Sequence, residues 1–411
     1  MTRGQTPTRA QTVPTDRALL EKYGPVFESV AEGAAERERD RALPFEQLRE
    51  LAAAGFGAVR VPVERGGDGA TLRQLFLLLI RLATADPHIP QALRGHFAFV
   101  EDRLRAADGP DRDRWLRRFA AGELVGNAVT EIGQVEVGRT GTRLEADDDG
   151  SWRITGRKYY TTGSIFADWI DASAITPDGA EVAALVATAQ DDVLVTDDWD
   201  GFGQRLTGSG TAEFRGARVE ADQVYDFSNR FPYQTAFYQL TLNAVLAGIA
   251  AAAEQDVVAQ LRGRSRVFSH GAAPESRNDP QLLETVGRIS AAAAAASALT
   301  LSAAAVLDEA AAADDPADVT RLKREAELEV SRAQIVVSEL ALRAATALFD
   351  PLGASATASS KALDRHWRNA RTVASHNPVA FKARIVGDAA VNDADPPYEW
   401  YVGTAAPRPT S

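Results

Sequence analysis

No cysteine occurs in this sequence, which excludes disulfides, thiolate nucleophiles and cysteine-ligated zinc. Its five histidines, at 88, 96, 270, 366 and 376, lack the spacing of a metal-ligand set, and no metal is expected. Positive charge is also in short supply, with 45 Lys and Arg against 57 Asp and Glu and a net charge of −12. Without a broad basic field, neither nucleic acid nor an anionic membrane is an expected partner, and any anionic ligand has to be held by a local cluster of cations. The alanine-rich segments are broken by Glu, Gln, Arg or Asp before they reach the length of a membrane span. The N-terminal MTRGQTPTRAQTVPTDR is polar and lacks the apolar stretch of a secretory signal. The expectation is a soluble, cytoplasmic protein with a flexible tail over residues 1–15.

Several enzyme loops are missing too. GFGAVR and GFGQRL each begin like G-x-G-x-x-G but lack the third glycine, and the second leads into strand-like sequence. G-x-x-x-x-G-K-[ST], H-E-x-x-H and G-x-S-x-G do not occur. Any redox chemistry has to receive its electrons by a route other than a Rossmann-bound dinucleotide.

The 411 residues divide into three regions by grammar. Residues 16–124 carry apolar side chains at three- and four-residue steps, such as Leu19, Tyr23 and Phe27, which predicts a helical domain. The glycine-rich GFGAVRVPVERGGDGA interrupts it as a loop, and Thr71 caps the helix that follows. Residues 125–228 change to strand-like runs, SWRITGRKYYTTG, EVAALVATA and GTAEFRGARVE, separated by Asp149-Gly150 and Pro177-Asp178-Gly179 turns. From 229 to 411 long helices return, ending in a C-terminal tail, with Pro316 at a turn and an apolar stripe over Val337, Leu340, Ala341, Ala344, Ala345 and Leu348. The predicted class is α+β: N-terminal helices, a central β domain and a C-terminal four-helix bundle.

This order, with LRELAAAGFGAVRVPVERGGDGATL, Gly126-Asn-Ala-Val-Thr-Glu131 and GRKYYTTGSIFADW, resembles the acyl-CoA dehydrogenase superfamily from about residue 16 to 395. His96-Phe97, YYTTGSIFADW, Asp197-Asp-Trp-Asp-Gly-Phe-Gly203 and RHWRNARTVASHNPVAFK are similar to its flavin-dependent monooxygenases of the dibenzothiophene and sulfone monooxygenase type. Two departures set the chain apart from the dehydrogenases. TEIGQVEVG stands in place of a TEPxAGSD-like phosphate loop, and ASHNPVAF stands where a glutamate-containing YEG-like segment is common.

The resemblance implies the oxygenase component of a two-component system. Reduced FMN, with FADH2 as the alternative, would come from a separate NAD(P)H-dependent flavin reductase and react with O2 to give a C4a-hydroperoxyflavin. That species would oxygenate a small apolar sulfur, nitrogen or aromatic compound in a homotetramer. The rival readings are a flavin-dependent acyl-CoA dehydrogenase or oxidase and a non-catalytic flavin-binding protein.

His376 is the expected group at the reacting oxygen, because an imidazole titrates near neutrality; its alternative role is a helix-terminal histidine bonded to a carbonyl. His96 resembles a substrate-side histidine, or else serves as a cap or core residue. Asn127, Thr130, Thr162 and Ser164 match positions that present uncharged hydrogen-bonding groups to the flavin ring, although Thr162 and Ser164 also suit a turn. Trp199 and Phe202 are expected as site walls or as plain packing. Arg368 and Arg371, three apart on one helix face, together with Arg266 of a neighbouring subunit, are expected to grip the flavin phosphate, the alternative being surface ion pairs.

Overall fold

The computed structural model describes residues 13–132, 140–227 and 230–399. Seven helices come first: α1 (Asp16–Ala31), α2 (Ala34–Asp40), α3 (Phe45–Ala53), α4 (Leu72–Ala85), α5 (His88–Ala92), α6 (Arg94–Arg105) and α7 (Pro110–Ala120). The Thr15 hydroxyl caps α1, and Thr71 forms a reciprocal capping box with Gln74 at the start of α4. The Gln74 amide also donates to the Pro14 carbonyl, which ties that residue to α4.

An eight-stranded sheet follows: β1 (Val125–Ala128), β2 (Arg143–Ala146), β3 (Trp152–Tyr159), β4 (Trp169–Ile175), β5 (Glu181–Ala187), β6 (Val193–Thr196), β7 (Thr211–Val219) and β8 (Val224–Asp226). Its spatial order is β6-β7-β3-β2-β4-β5-β8, with β1 parallel to β4. Gly150 and Gly179 take left-handed φ values of +85° and +89° in the β2–β3 and β4–β5 turns, where a side chain would be strained.

Five helices complete the chain: α8 (Gln234–Arg262), α9 (Pro280–Ala312), α10 (Pro316–Ala347), α11 (Asp364–Ser375) and α12 (Val379–Asn392). Asp279 and Asp315 cap α9 and α10, each with proline at the first turn. Because α4 lies along α8, the two helical regions share one core, in which Leu75, Phe76 and Leu79 meet Phe237, Leu240 and Val245. Each such fully buried side chain contributes roughly 1.5–3 kcal/mol. The sheet has its own core around Ile154, Ile170, Val186 and Phe214, and Phe99, Trp115, Phe119 and Val125 join α6 and α7 to it. The architecture is the expected α+β arrangement, and the seam between sheet and helices is where the chemistry-bearing residues gather.

Candidate active site

The segment RHWRNARTVASHNPVAF folds into α11, a turn and the start of α12, and most of its polar side chains are engaged. Arg365 and His366 both bond Asp256 on α8, at 2.6 and 2.7 Å. Asn369 accepts from the Gln204 backbone N–H at 2.6 Å, tying α11 to the loop between β6 and β7. Pro378 stops the helix, and the turn is pinned from two sides: Asn377 donates to Gln239 of α8 at 2.7 Å, and its carbonyl accepts from Gln334 of α10 at 2.8 Å.

That pinned turn presents His376. The residue is solvent-accessible, with protein atoms packed densely around its ring. Burial, with the Arg94 guanidinium nearby, holds it down to about 3. A lowered pKa favours the neutral imidazole, which can donate one N–H, over the group titrating near neutrality that the sequence suggests. Arg94 stacks over the Tyr238 ring at 5.2 Å from its centroid and lies close enough to His376 to act on its charge.

Gly95, next to Arg94, packs so closely on β1 that a Cβ there would lie 2.9 Å from Asn127 Oδ1. That oxygen is buried with no hydrogen-bond partner, and so are both amide atoms of Gln204 and the Gln91 Oε1. The Ser164 hydroxyl donates to the Asn127 carbonyl at 3.2 Å, so Ser164 positions β1. Thr162 is bonded to Ser209, which bonds Thr207 in turn, each at 2.7 Å, and Thr207 donates to the Gln204 carbonyl. Thr130 accepts from the Tyr159 N–H through its carbonyl, leaving its hydroxyl unbonded among the described residues. Tyr160 and Gln204, flanking this hydroxyl chain, both adopt positive φ, at 65° and 52°. Residues 133–139, which hold most of TEIGQVEVG, lie outside the described residues.

Other expected site residues sit elsewhere. The His96 ring is buried, bonding the Gly57 carbonyl at 2.8 Å and the Val125 N–H at 3.2 Å; both nitrogens are satisfied, and burial lowers its pKa to about 4. It is a core histidine that joins the 56–58 turn to β1. Arg368 is paired with Glu38 and Asp364, each at 2.8 Å, and donates to the Phe202 carbonyl, so its charge is neutralised within the fold. Arg371 bonds only Ser375 on its own helix. Arg266 lies on the exposed loop after α8, 28 residues beyond Tyr238; the helix alone carries the chain about 36 Å between Tyr238 and Arg262. Trp199 folds back onto Gly203, and Phe202 is exposed and stacked on Trp367 instead of walling the cleft. A separate cavity of about 690 Å³ lies on the Arg368 side of α11, lined in part by Arg39, Arg41, Arg205 and Asp200. Neither His376 nor Asn127 reaches it.

Sequence reasoning missed Arg94, Tyr238, Gln204 and Gln91. Only Arg94 carried a signal, as a lone cation in the apolar QALRGHFAFV. A buried charge cluster was also missed: His88 lies between Glu38 and Asp86, at 2.7 and 2.8 Å.

Neutral amides and hydroxyls with open valences are the donor set that a flavin ring takes, since N–H and C=O groups bind there without added charge. Asn127 and Gln204 fit that role on their orphaned atoms. Two domain models, described as the N-terminal and C-terminal domains of acyl-CoA dehydrogenase, match residues 20–123 and 240–381. Dibenzothiophene monooxygenase of Mycolicibacterium goodii is 27% identical, the match covering 87% of this chain and 90% of that protein. The probable FMNH2-dependent monooxygenase SfnC of Pseudomonas putida is also 27% identical, over 90% and 94%. FMN-bound TdsC of Paenibacillus sp. A11-2 superposes with a TM-score of 0.84 at 27% identity, covering 92% of this chain and 98% of that one. Methanesulfinate monooxygenase MsuC of Pseudomonas fluorescens gives 0.83 at 26%, over 92% and 97%. The chain belongs to the acyl-CoA dehydrogenase superfamily, in the part of it that holds the flavin-dependent monooxygenases of the dibenzothiophene monooxygenase type.

Proposed function

We propose that the protein is the oxygenase component of a two-component flavin monooxygenase, receiving reduced FMN from a separate NAD(P)H-dependent reductase and oxygenating a small sulfur, nitrogen or aromatic compound. Reduced FMN, when bound, supplies the two electrons with which one atom of O2 enters the substrate and the other leaves as water. The observation that carries this reading is the α11–α12 turn. A dehydrogenase that abstracts a proton there needs a carboxylate, and this turn instead presents His376, neutral and able to donate a hydrogen bond to an oxygen atom. No carboxylate is bonded to the Arg94, Tyr238 or His376 side chains among the described residues.

In this reading Asn127 and Gln204 hold the ring edge with their free amide atoms, and Thr162 and Ser164 fix the strands and loop that present them. The phosphate falls to Arg371 and to Arg266 of a neighbouring copy, since Arg368 is already paired. The relatives named for FMN and FMNH2 favour FMN over FAD. Exposed Leu283 and Leu299 on α9 and Val336 on α10 favour assembly, here as a homotetramer.

The test against dehydrogenation is anaerobic. FMN-loaded protein mixed with acyl-CoA of several chain lengths is expected to keep the visible absorbance of oxidised flavin. Bleaching would move the protein to the dehydrogenases.

A further inference from the structure

Arg94 has no counter-charge. The residue is 8% exposed, its Nε is buried without a partner, and the guanidinium makes no hydrogen bond and no ion pair among the described residues. Four other arginines with little exposure are paired: Arg37 with Asp86, Arg60 with Glu101, Arg103 with Asp102 and Asp111, and Arg230 with Asp171 and Asp102, at 2.7–3.4 Å. A fold that compensates four buried guanidinium groups and leaves the fifth bare holds that fifth charge at a large desolvation cost.

Its position suggests what offsets the cost. Arg94 is fixed from one side by Gly95 packed on Asn127 and from the other by the Tyr238 face, beside the Gln239–Asn377 bond that sets His376. The bare cation is therefore one residue from the Gly95–Asn127 contact and close enough to His376 to act on its charge. A planar guanidinium presents paired N–H donors that match a two-oxygen anion. We propose that Arg94 recognises an anionic substrate, a small organic sulfinate or carboxylate whose oxyanion supplies the counter-charge that the chain lacks. That this anion is the substrate rests on the oxygenase reading above; that the site binds an anion does not.

The experiment is isothermal titration of the flavin-free protein in chloride buffer without phosphate or sulfate. Benzenesulfinate and benzoate are set against the uncharged methyl phenyl sulfoxide and benzamide, using wild type, Arg94→Gln and Arg94→Lys. The anions are expected to bind wild type at least about tenfold tighter than their neutral counterparts. Arg94→Gln should lose about 30-fold or more of the anion affinity, Arg94→Lys less, and neither should lose affinity for the neutral compounds. Thermal unfolding without ligand is a second readout. Arg94→Met is expected to raise Tm, because it removes an uncompensated buried charge, whereas a structural arginine would leave the variant less stable. The proposal is overturned if wild type does not prefer the anions, or if Arg94→Gln binds them as wild type does. It is equally overturned if FMN affinity falls in Arg94→Gln while anion affinity holds, which would assign the guanidinium to the cofactor. None of these readings uses O2 or turnover, so a failure of the oxygenase assignment would show separately.

Discussion

His376 and His88 show one side-chain type driven in opposite directions by its surroundings. The dense surroundings beside Arg94 hold His376 down to about 3, so in the proposed reaction its contribution is a hydrogen bond and not a titration. His376→Ala is expected to slow oxygen transfer about a hundredfold, whereas His376→Gln, which keeps an N–H donor, should stay within about tenfold of wild type. The pH–rate profile should show no ionisation of this residue between about pH 5 and 8, and an inflection lost in the Gln variant would contradict the assignment. Burial alone would lower His88, but Glu38 and Asp86 outweigh it and raise its pKa to about 9. A raised histidine stabilises the fold below its unfolded value of about 6.5 and loses that contribution as pH rises through the folded value. The urea midpoint of wild type is therefore expected to fall between pH 6.5 and 9. His88→Gln should be less stable by about 1.5–3 kcal/mol at pH 6 and lack that fall, because Glu38 and Asp86 each lose one of two cationic partners and keep only Arg368 and Arg37. At this scale Asn127 and His376 stood out as candidates because they sit in recognisable motifs. Gln204 and Tyr238 did not, since only the packing of α11 and α8 against the sheet makes their polar atoms matter.

The elements that shape the cleft depend on a few close approaches. Gly163 has φ +82°, and a Cβ there would meet the Ala92 carbonyl at 2.1 Å, so the turn after β3 seats directly on α5. Gly163→Ala is expected to destabilise the protein by at least about 2 kcal/mol and to weaken FMN binding. Gly150→Ala has a similar φ but nothing within 4 Å, and should cost only about 1–2 kcal/mol with FMN affinity unchanged. Denaturation and flavin-fluorescence titrations of the two variants check the contrast. The helices were readable because caps and apolar periodicity are local: Thr71 and the stripe from Val337 to Leu348 stand as predicted. β1 was not, because Val-Gly-Asn-Ala is four residues with little strand propensity, held in place by parallel pairing with β4 and by the Ser164 bond. The pairing of Arg368 was hidden for a related reason. Spacing puts Arg368 and Arg371 on one face, but it cannot reveal that Glu38, 330 residues away in sequence, already holds the first.

The whole molecule joins two helical regions through one core and leaves an apolar strip of α9 and α10 uncovered. Light scattering on a sizing column is expected to give a tetramer, and Val336→Glu to shift it toward smaller species. An unaltered monomer in both would remove the neighbour-supplied Arg266 from the account. The order of helices, sheet and helices was legible from composition and turns along the whole chain, whereas the seam between them, made of side chains from α5, α6, β1, α8 and α11, is a product of tertiary folding. The claim on which the rest depends is that this seam lets reduced flavin pass an oxygen atom to a substrate. The most direct test is stopped-flow mixing of the anaerobic protein–reduced FMN complex with oxygenated buffer, followed across the flavin spectrum. The account predicts two phases, with a transient species distinct from both reduced and oxidised FMN that decays more slowly in wild type than in His376→Ala. A single-phase reoxidation, identical to that of free flavin, would contradict it.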